Sequence, residues 1–256
     1  MFSKKHFVFT DIPDLSGKVA IVTGGNNGIG FITSRELTRK NAHVFVASRS
    51  KERVNNAGII TTTFEQTQDG IQDHFGVNHI GHFLFTLLLL PTIKASAPSR
   101  IVNVSSYGHN IVPSDGIEFD KLNDPNAHTT LERYGQSKLA NILFTLELNK
   151  KLSGTKVYYL THKLVNNWSS WIKPIFFVSK LFLLTPDDGA LTQLYCATSP
   201  EIEENNYRGK YFIPFGELGE TSDHAKNEEL AKKLWHFSET FVKEKLGYDV
   251  FNKCYA

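Results

Sequence analysis

Short apolar runs alternate along this chain with longer stretches in which apolar residues return every three or four positions. Lys18-Val-Ala-Ile-Val22 is a compact apolar run that ends in a glycine-rich turn, and a helical pattern follows through Arg35, Leu37 and Lys40. His43 to Ala47 is a second apolar run, so the opening predicts strand, turn, helix, strand. Further on, Arg100 to Val104 reads as a strand, Tyr134 to Lys151 as a helix closed near Gly154, and Lys156 to Leu160 as another strand. Gly209 to Pro214 supplies a last strand. Leu230, Leu234, Phe237 and Phe241 then mark one face of a final amphipathic helix that stops near Gly247. Strands alternating with helices imply an α/β fold whose parallel sheet is covered on both faces.

No internal repeat, low-complexity linker or break in composition divides the 256 residues, so a single domain is expected, with its core between about 14 and 247. The net charge of +2 is near balance and the charges are interspersed, which argues against a nucleic-acid partner. The two cysteines, Cys196 and Cys254, are far apart and outside any CxxC spacing, so a reducing, cytoplasmic setting is expected. The amino-terminal residues lack the apolar core of a signal peptide. Phe83 to Leu90 (FLFTLLLL) stops at Pro91, far short of the roughly 20 residues of a spanning helix, and reads as a buried helix. Trp168 to Leu184 is apolar but interrupted by Lys173, Pro174 and Lys180. No transmembrane segment is expected there, while peripheral contact with a membrane surface stays open.

Candidate chemistry begins at Thr23-Gly-Gly-Asn-Asn-Gly-Ile-Gly30. Glycines 24, 28 and 30 let the backbone turn tightly and approach a pyrophosphate, whose charge meets the amino end of the following helix. Asn26 and Ile29 complete the turn. About 20 positions on, where an acidic residue would take a ribose 2′-hydroxyl, the chain offers Ser48 and Arg49, a pairing that favours the 2′-phosphate of NADP(H) over NAD(H). Tyr134-Gly-Gln-Ser-Lys138 sets a phenol and an ammonium on one helix face, and a nearby cation brings a phenol towards a working proton-transfer range. Arg100-Ile-Val-Asn-Val-Ser-Ser106 delivers a hydroxyl at the carboxyl end of a strand, where open α/β sheets place their sites.

These motifs, with Asn55-Asn-Ala-Gly58, occur in the order TGGNNGIG, NNAG, IVNVSS, YGQSK, and the chain resembles the short-chain dehydrogenase/reductases in all four. The flanks NHIGHFLFTLLLL and YGQSKLANILF are similar to the retinol-dehydrogenase and WW-domain-oxidoreductase-like subgroup, and the resemblance runs from about Asp14 to Gly247. It implies a Rossmann-type doubly wound sheet and an alcohol/carbonyl oxidoreductase of lipophilic small molecules. Within it, Tyr134 is the acid/base, Lys138 holds the nicotinamide ribose, and Ser106 orients the substrate oxygen, with Ser105 the fallback. Asn78 matches the asparagine that anchors a relay water. Gly24, Asn26, Gly28, Ile29, Gly30, Ser48, Arg49, Asn56, Ala57 and Gly58 join Tyr134 and Lys138 as cofactor contacts. The resemblance also implies a homodimer. His79 and His82 stand three apart but lack a carboxylate at a useful spacing, so helix packing is expected of them rather than metal binding.

The chain departs from the family pattern twice. Between Arg49 and Asn55 only Ser50 to Val54 remain, where the family places a helix, the third strand, another helix and the fourth strand. The residue steps from Ser48 to Val54 reach roughly 20 Å, enough to pass a neighbouring strand, but one βαβ unit needs about 30 residues. The third strand and most of the fourth are therefore expected to be missing, which takes away the common partner of the first strand and the strand ending at Ser106. After Leu160, Thr161 to Asn167 carries no Pro-Gly segment of the kind that lies over the nicotinamide. These gaps set a competing expectation: a family relic, or a product of splicing or gene prediction, that acts as a binding or dimerising protein. On the enzyme reading, Trp168 to Leu184 forms an apolar lid over the substrate.

Overall fold

The computed structural model describes residues 6–48, 58–164, 185–249 and 251. Strand β1 (Val19–Thr23) leads through the glycine turn into helix α1 (Gly28–Arg39) and then β2 (His43–Ala47), which lies parallel to β1 with Val19 opposite His43 and Thr23 opposite Ala47. Helix α2 (Asp73–Ala95) follows, and then β3 (Ser99–Ser106), α3 (Thr130–Lys151) and β4 (Val157–Leu164). Helix α4 (Pro186–Thr198), β5 (Lys210–Ile213), a short β6 (Glu217–Leu218) and α5 (Glu228–Leu246) complete the chain. β3, β4 and β5 are parallel neighbours, and β6 turns back antiparallel on β5.

Local signals set the helix ends. Thr129 and Glu132 form a reciprocal cap that starts α3 four residues earlier than the apolar pattern alone predicts. Thr185 and Asp188 do the same for α4, with Pro186 in the first turn. Gly247 ends α5 in the left-handed region at φ 73°, as the sequence predicts.

The expected gap in the sheet is present among the described residues, while Val54 and its neighbours, the expected remnant of the fourth strand, lie outside them. Among the described residues the strands form two sheets, β1–β2 and β3–β4–β5–β6, with no strand between them. Each face of the larger sheet has its own core. On one side, α2, α3 and α5 bury Phe83, Leu87, Leu143, Phe144 and Trp235 against β4. On the other, α1 and α4 pack Ile32, Leu37, Leu191 and Leu194 against Leu160 and Phe212. β1 and β2 join only this second core, through Ala20, Val22 and Val44. Their alternate residues, Val19, Ile21 and Phe45, are 66%, 47% and 54% exposed, because a strand sends successive side chains to opposite faces and no described residue covers one face of this pair. The two sheets are joined through α1 and α4: Arg35 meets Asp187 at 2.7 Å, Gln193 bonds Thr33, and Gly189 lies so close to Ile29 that a Cβ there would come within 2.7 Å of it.

Helix α2 has the length and apolarity to cross a membrane, but Phe75, Phe83, Leu87 and Leu90 on it are buried in the protein core. The expected buried helix at Phe83 to Leu90 is thus found, with Leu88 left 53% exposed. Trp168 to Leu184, the expected lid, lies outside the described residues.

Candidate active site

Helix α3 carries both Tyr134 and Lys138 into the interior, where they are 3% exposed each. Between them, Gly135 lets the helix approach the segment after β3. A Cβ at that position would lie 1.9 Å from the Ile111 carbonyl oxygen, so only glycine fits. Tyr134 is set against Gly108, where an added Cβ would come within 2.9 Å of the phenol ring. Lys138 Nζ stands 5.5 Å from the centre of the Tyr134 ring and donates a long 3.4 Å bond to the Val104 carbonyl. Burial with so little compensation lowers the Lys138 ammonium to a pKa of about 8 from 10.5.

Of the two serines ending β3, Ser105 is committed to structure, since its hydroxyl donates to the Lys138 carbonyl at 2.8 Å and pins α3 to the sheet. Ser106 caps the turn that follows, accepting from the Gly108 amide at 3.2 Å. His109 Nδ1 lies 2.7 Å from the Ser106 carbonyl, and an oxygen acceptor there requires the proton on Nδ1. His109 Nε2 is then the acceptor for the Ser222 amide at 3.4 Å.

Asn78 lies in a single π-turn, Gly76–Ile80, inside α2. It is fully buried, and its amide bonds both main-chain groups of Ile59, accepting from N at 2.6 Å and donating to O at 3.0 Å. The same amide donates to Ser137 Oγ at 3.0 Å, and Ser137 donates to the Tyr134 carbonyl at 2.7 Å. Asn78 therefore couples the residue after Gly58 to the helix of Tyr134 and Lys138. His74 and Asp73 add to this anchor, receiving the Thr61 amide at 2.9 Å and the Thr61 hydroxyl at 2.8 Å. Sequence reasoning passed over Gly135, Ser137, His74 and His109. The first two sit inside YGQSK, where the spacing hints at them.

The glycine turn is built on the other sheet. Gly24 and Gly28 take φ of 61° and 50°, and the Gly24 amide bonds the Ala47 carbonyl at 2.7 Å, tying the turn to the end of β2. Gly30 is buried in the first turn of α1, while Asn26 and Ile29 are half-buried and Gly28 is exposed with nothing within 4 Å of a would-be Cβ. The Asn27 side chain makes no capping bond at the amino end of α1, which opens on the turn. This open cradle fits the pyrophosphate of a dinucleotide. Ser48 is exposed just past β2 and Gly58 is half-buried. Arg49, Asn56 and Ala57 lie outside the described residues. The structure thus brings Asn78, Ser106, Tyr134 and Lys138 together, and holds the glycine turn to them through α1 and α4.

A glycine turn between β1 and α1, set beside a buried Tyr/Lys pair at the carboxyl end of β3, defines a Rossmann-type oxidoreductase site. The family model described as short chain dehydrogenase matches residues 18–55. Mouse retinol dehydrogenase 11 is 35% identical over 90% of this chain and 88% of its own length, and human retinol dehydrogenase 12 is 34% identical over 88% and 86%. The mouse alignment spans 287 positions, more than this whole chain contains, so it passes through segments that the chain lacks. A solved Mycobacterium paratuberculosis protein of uncharacterized role superposes with a TM-score of 0.76 at 26% identity, covering 93% of this chain and 98% of that one. A Shigella flexneri protein titled as a short chain dehydrogenase complexed with NADP shares the fold at a TM-score of 0.58 and 17% identity, covering 78% and 98%. The chain belongs to the short-chain dehydrogenase/reductase family, in its retinol dehydrogenase-like subgroup, whose members are oxidoreductases acting on CH–OH and C=O groups.

Proposed function

We propose that the chain interconverts an alcohol and a carbonyl on a lipophilic small molecule, in the cytoplasm and as a homodimer, with NADP(H) preferred. The observation that carries this reading is the buried Lys138 ammonium beside the Tyr134 phenol, joined through Ser137 to Asn78. NADP(H), when bound, supplies or accepts the hydride. The glycine turn would hold its pyrophosphate, Lys138 its nicotinamide ribose, and Ser48 with Arg49 its 2′-phosphate. Tyr134 passes a proton to or from the substrate oxygen. Lys138 lowers the cost of the phenolate, and the Ser106 hydroxyl orients that same oxygen. Asn78 fixes the floor at Ile59 against α3.

One observation favours a second reading. The uncovered face of β1–β2 weakens the half that carries the glycine turn, as expected of a family relic that only binds or dimerises. Titration with NADPH and NADH during thermal unfolding separates the two. Binding to the native state must raise stability by RT ln(1 + [L]/Kd), so the enzyme reading expects a rising midpoint, larger for NADPH. No shift at millimolar cofactor sinks the enzyme reading. Where a shift occurs, Tyr134→Phe is expected to keep it and to abolish turnover. Activity surviving that change removes Tyr134 as the acid/base.

A further inference from the structure

Ser106 ends β3 in extended backbone, φ −151° and ψ 162°, and the chain bends at once through Tyr107–Asn110. Its hydroxyl oxygen accepts from the Gly108 amide and, among the described residues, makes no other bond, so the hydroxyl proton is left for a substrate oxygen. The Ser106 carbonyl is held separately, by Nδ1 of the buried His109 at 2.7 Å. That carbonyl can only accept, whereas the Ser222 amide, 113 positions along the chain from His109, can only donate and meets Nε2 at 3.4 Å. With an acceptor on one side and a donor on the other, the ring has one consistent form: neutral, with its proton on Nδ1. Burial lowers the His109 pKa from 6.5; the Ser106 bond opposes that change and the Lys163 ammonium adds to it. Both ends of the turn bear on Tyr134. A Cβ on Gly108 would lie 2.9 Å from the Tyr134 ring and 3.7 Å from Ser106 Oγ, so the phenol and the hydroxyl flank one glycine. Gly135 packs against the main-chain oxygens of Gly108 and Ile111, on either side of His109.

We propose that His109 is a positioning residue of the oxidoreductase site: its Nδ1–H holds the Ser106 carbonyl, and through it the hydroxyl that orients the substrate oxygen, while the Ser222 amide sets the tautomer that makes this bond. The role given to Ser106 rests on the oxidoreductase reading above. Positioning differs from packing in what it demands of the side chain. A donor at the place of Nδ1 is required, and the rest of the imidazole is not.

Two substitutions divide the ring atom by atom. His109→Asn puts an amide nitrogen at the place of Nδ1 and leaves nothing at Nε2, whereas His109→Gln reaches the place of Nε2 and leaves no donor at Nδ1. Reduction of nonanal by NADPH is measured on the full chain. His109→Asn is expected to keep kcat within about threefold and His109→Gln to lower it at least about tenfold, with KM for NADPH unchanged in both. In a Ser106→Ala background His109→Gln should cost less than about twofold more, because its effect passes through the hydroxyl already removed. Equal losses in the two variants, or losses that multiply in full with Ser106→Ala, overturn the positioning role. Hydrogen exchange at the Gly108 amide, the donor to Ser106 Oγ, needs no turnover. It should quicken by about tenfold in His109→Gln and not in His109→Asn, with the amides of β4 as the control for the fold. Exchange separates the two failures. A parent that reduces no nonanal but shows this exchange pattern loses the oxidoreductase reading and keeps the hold of His109 on Ser106. A parent that reduces nonanal, with Gly108 exchange alike in both variants, keeps the reading and loses the hold.

Discussion

Lys138 offers the sharpest test, because its burial carries a stability cost whose size falls with rising pH in a defined way. The side chain is 3% exposed, and burial brings its pKa from 10.5 down to about 8. Below about pH 8 the lysine is charged in both the folded and the unfolded chain, so the folded state carries the full penalty. From the size of the shift that penalty is about 3 kcal/mol. As the pH rises through 8 the folded chain sheds this proton first and the penalty shrinks. Above about 10.5 both states are neutral at this position and it is gone. Lys138→Met keeps most of the side-chain volume and removes the charge. In urea unfolding without cofactor, the variant is therefore expected to be more stable than the parent by about 3 kcal/mol at pH 7. That corresponds to a midpoint higher by about 1 M. The advantage should fade between pH 8 and 10.5, while other titrating groups cancel in the difference. Turnover should be lost over the same range, since the charge that stabilises the phenolate is absent. A difference in stability that stays constant from pH 7 to 10, or a variant less stable than the parent at pH 7, refutes the reasoning.

Three further outcomes follow from the packing. Gly135→Ala places a methyl 1.9 Å from the Ile111 oxygen, so α3 must shift away from the segment after β3. A loss of about 3 kcal/mol or more is expected in chemical unfolding, well above the roughly 1 kcal/mol that a helical glycine ordinarily returns on becoming alanine. Ile21→Thr and Phe45→Thr, on the uncovered face of β1–β2, should change stability by no more than about 0.5 kcal/mol, whereas Phe83→Ala in the main core should cost about 3–5 kcal/mol. A large loss at Phe45 would mean that this face is covered in solution. In hydrogen exchange, the amides of β1 and β2 should open at lower free energy than those of β3 and β4, because the smaller sheet contributes to one core only. Equal protection in both sheets contradicts the separation.

What could be read from the sequence was whatever is written locally. The glycine turn, the strands that flank α1, the tyrosine and lysine one turn apart and the stop at Gly247 are each set by neighbouring residues, and the structure has them where the pattern places them. Helix α4 went unread because its apolar period is weak, although the reciprocal cap of Thr185 and Asp188 was there to be seen. β3 and β4 extend beyond the apolar runs, to Ser106 and Leu164, because pairing in register carries strand geometry onto polar residues such as Asn103, Thr161 and His162. The π-turn at Asn78 leaves no signature in composition, and the choice between Ser105 and Ser106 depends on which hydroxyl meets the carbonyl of Lys138. The parts of the site that come from register and from elements packed across the sheet, His109 among them, could not be read from spacing at all.

The junction between the two sheets shows why family membership and activity are separate questions for this chain. Asn78 bonds the N–H and the C=O of Ile59, both of the groups that a neighbouring strand would otherwise pair, so one side chain does at this point the work of a missing edge. Together with the Thr61 anchors on Asp73 and His74, it fixes residues 59–61 to the half that carries Tyr134, Lys138 and Ser106, a half with a complete core of its own. The glycine turn has no such support from the larger sheet. Among the described residues β1 is paired on one side only, by β2. The distance from the turn to the Tyr/Lys pair is therefore set by side chains between two helices, Arg35 on Asp187, Thr33 on Gln193 and Ile29 on Gly189, rather than by a ladder of backbone hydrogen bonds. A largely exposed ion pair such as Arg35 with Asp187 contributes little. The apolar contact of Ile29 with α4 consequently carries much of the register between the two parts of the cofactor cleft, and residues far from the chemistry decide whether the four groups around Tyr134 ever meet a bound dinucleotide.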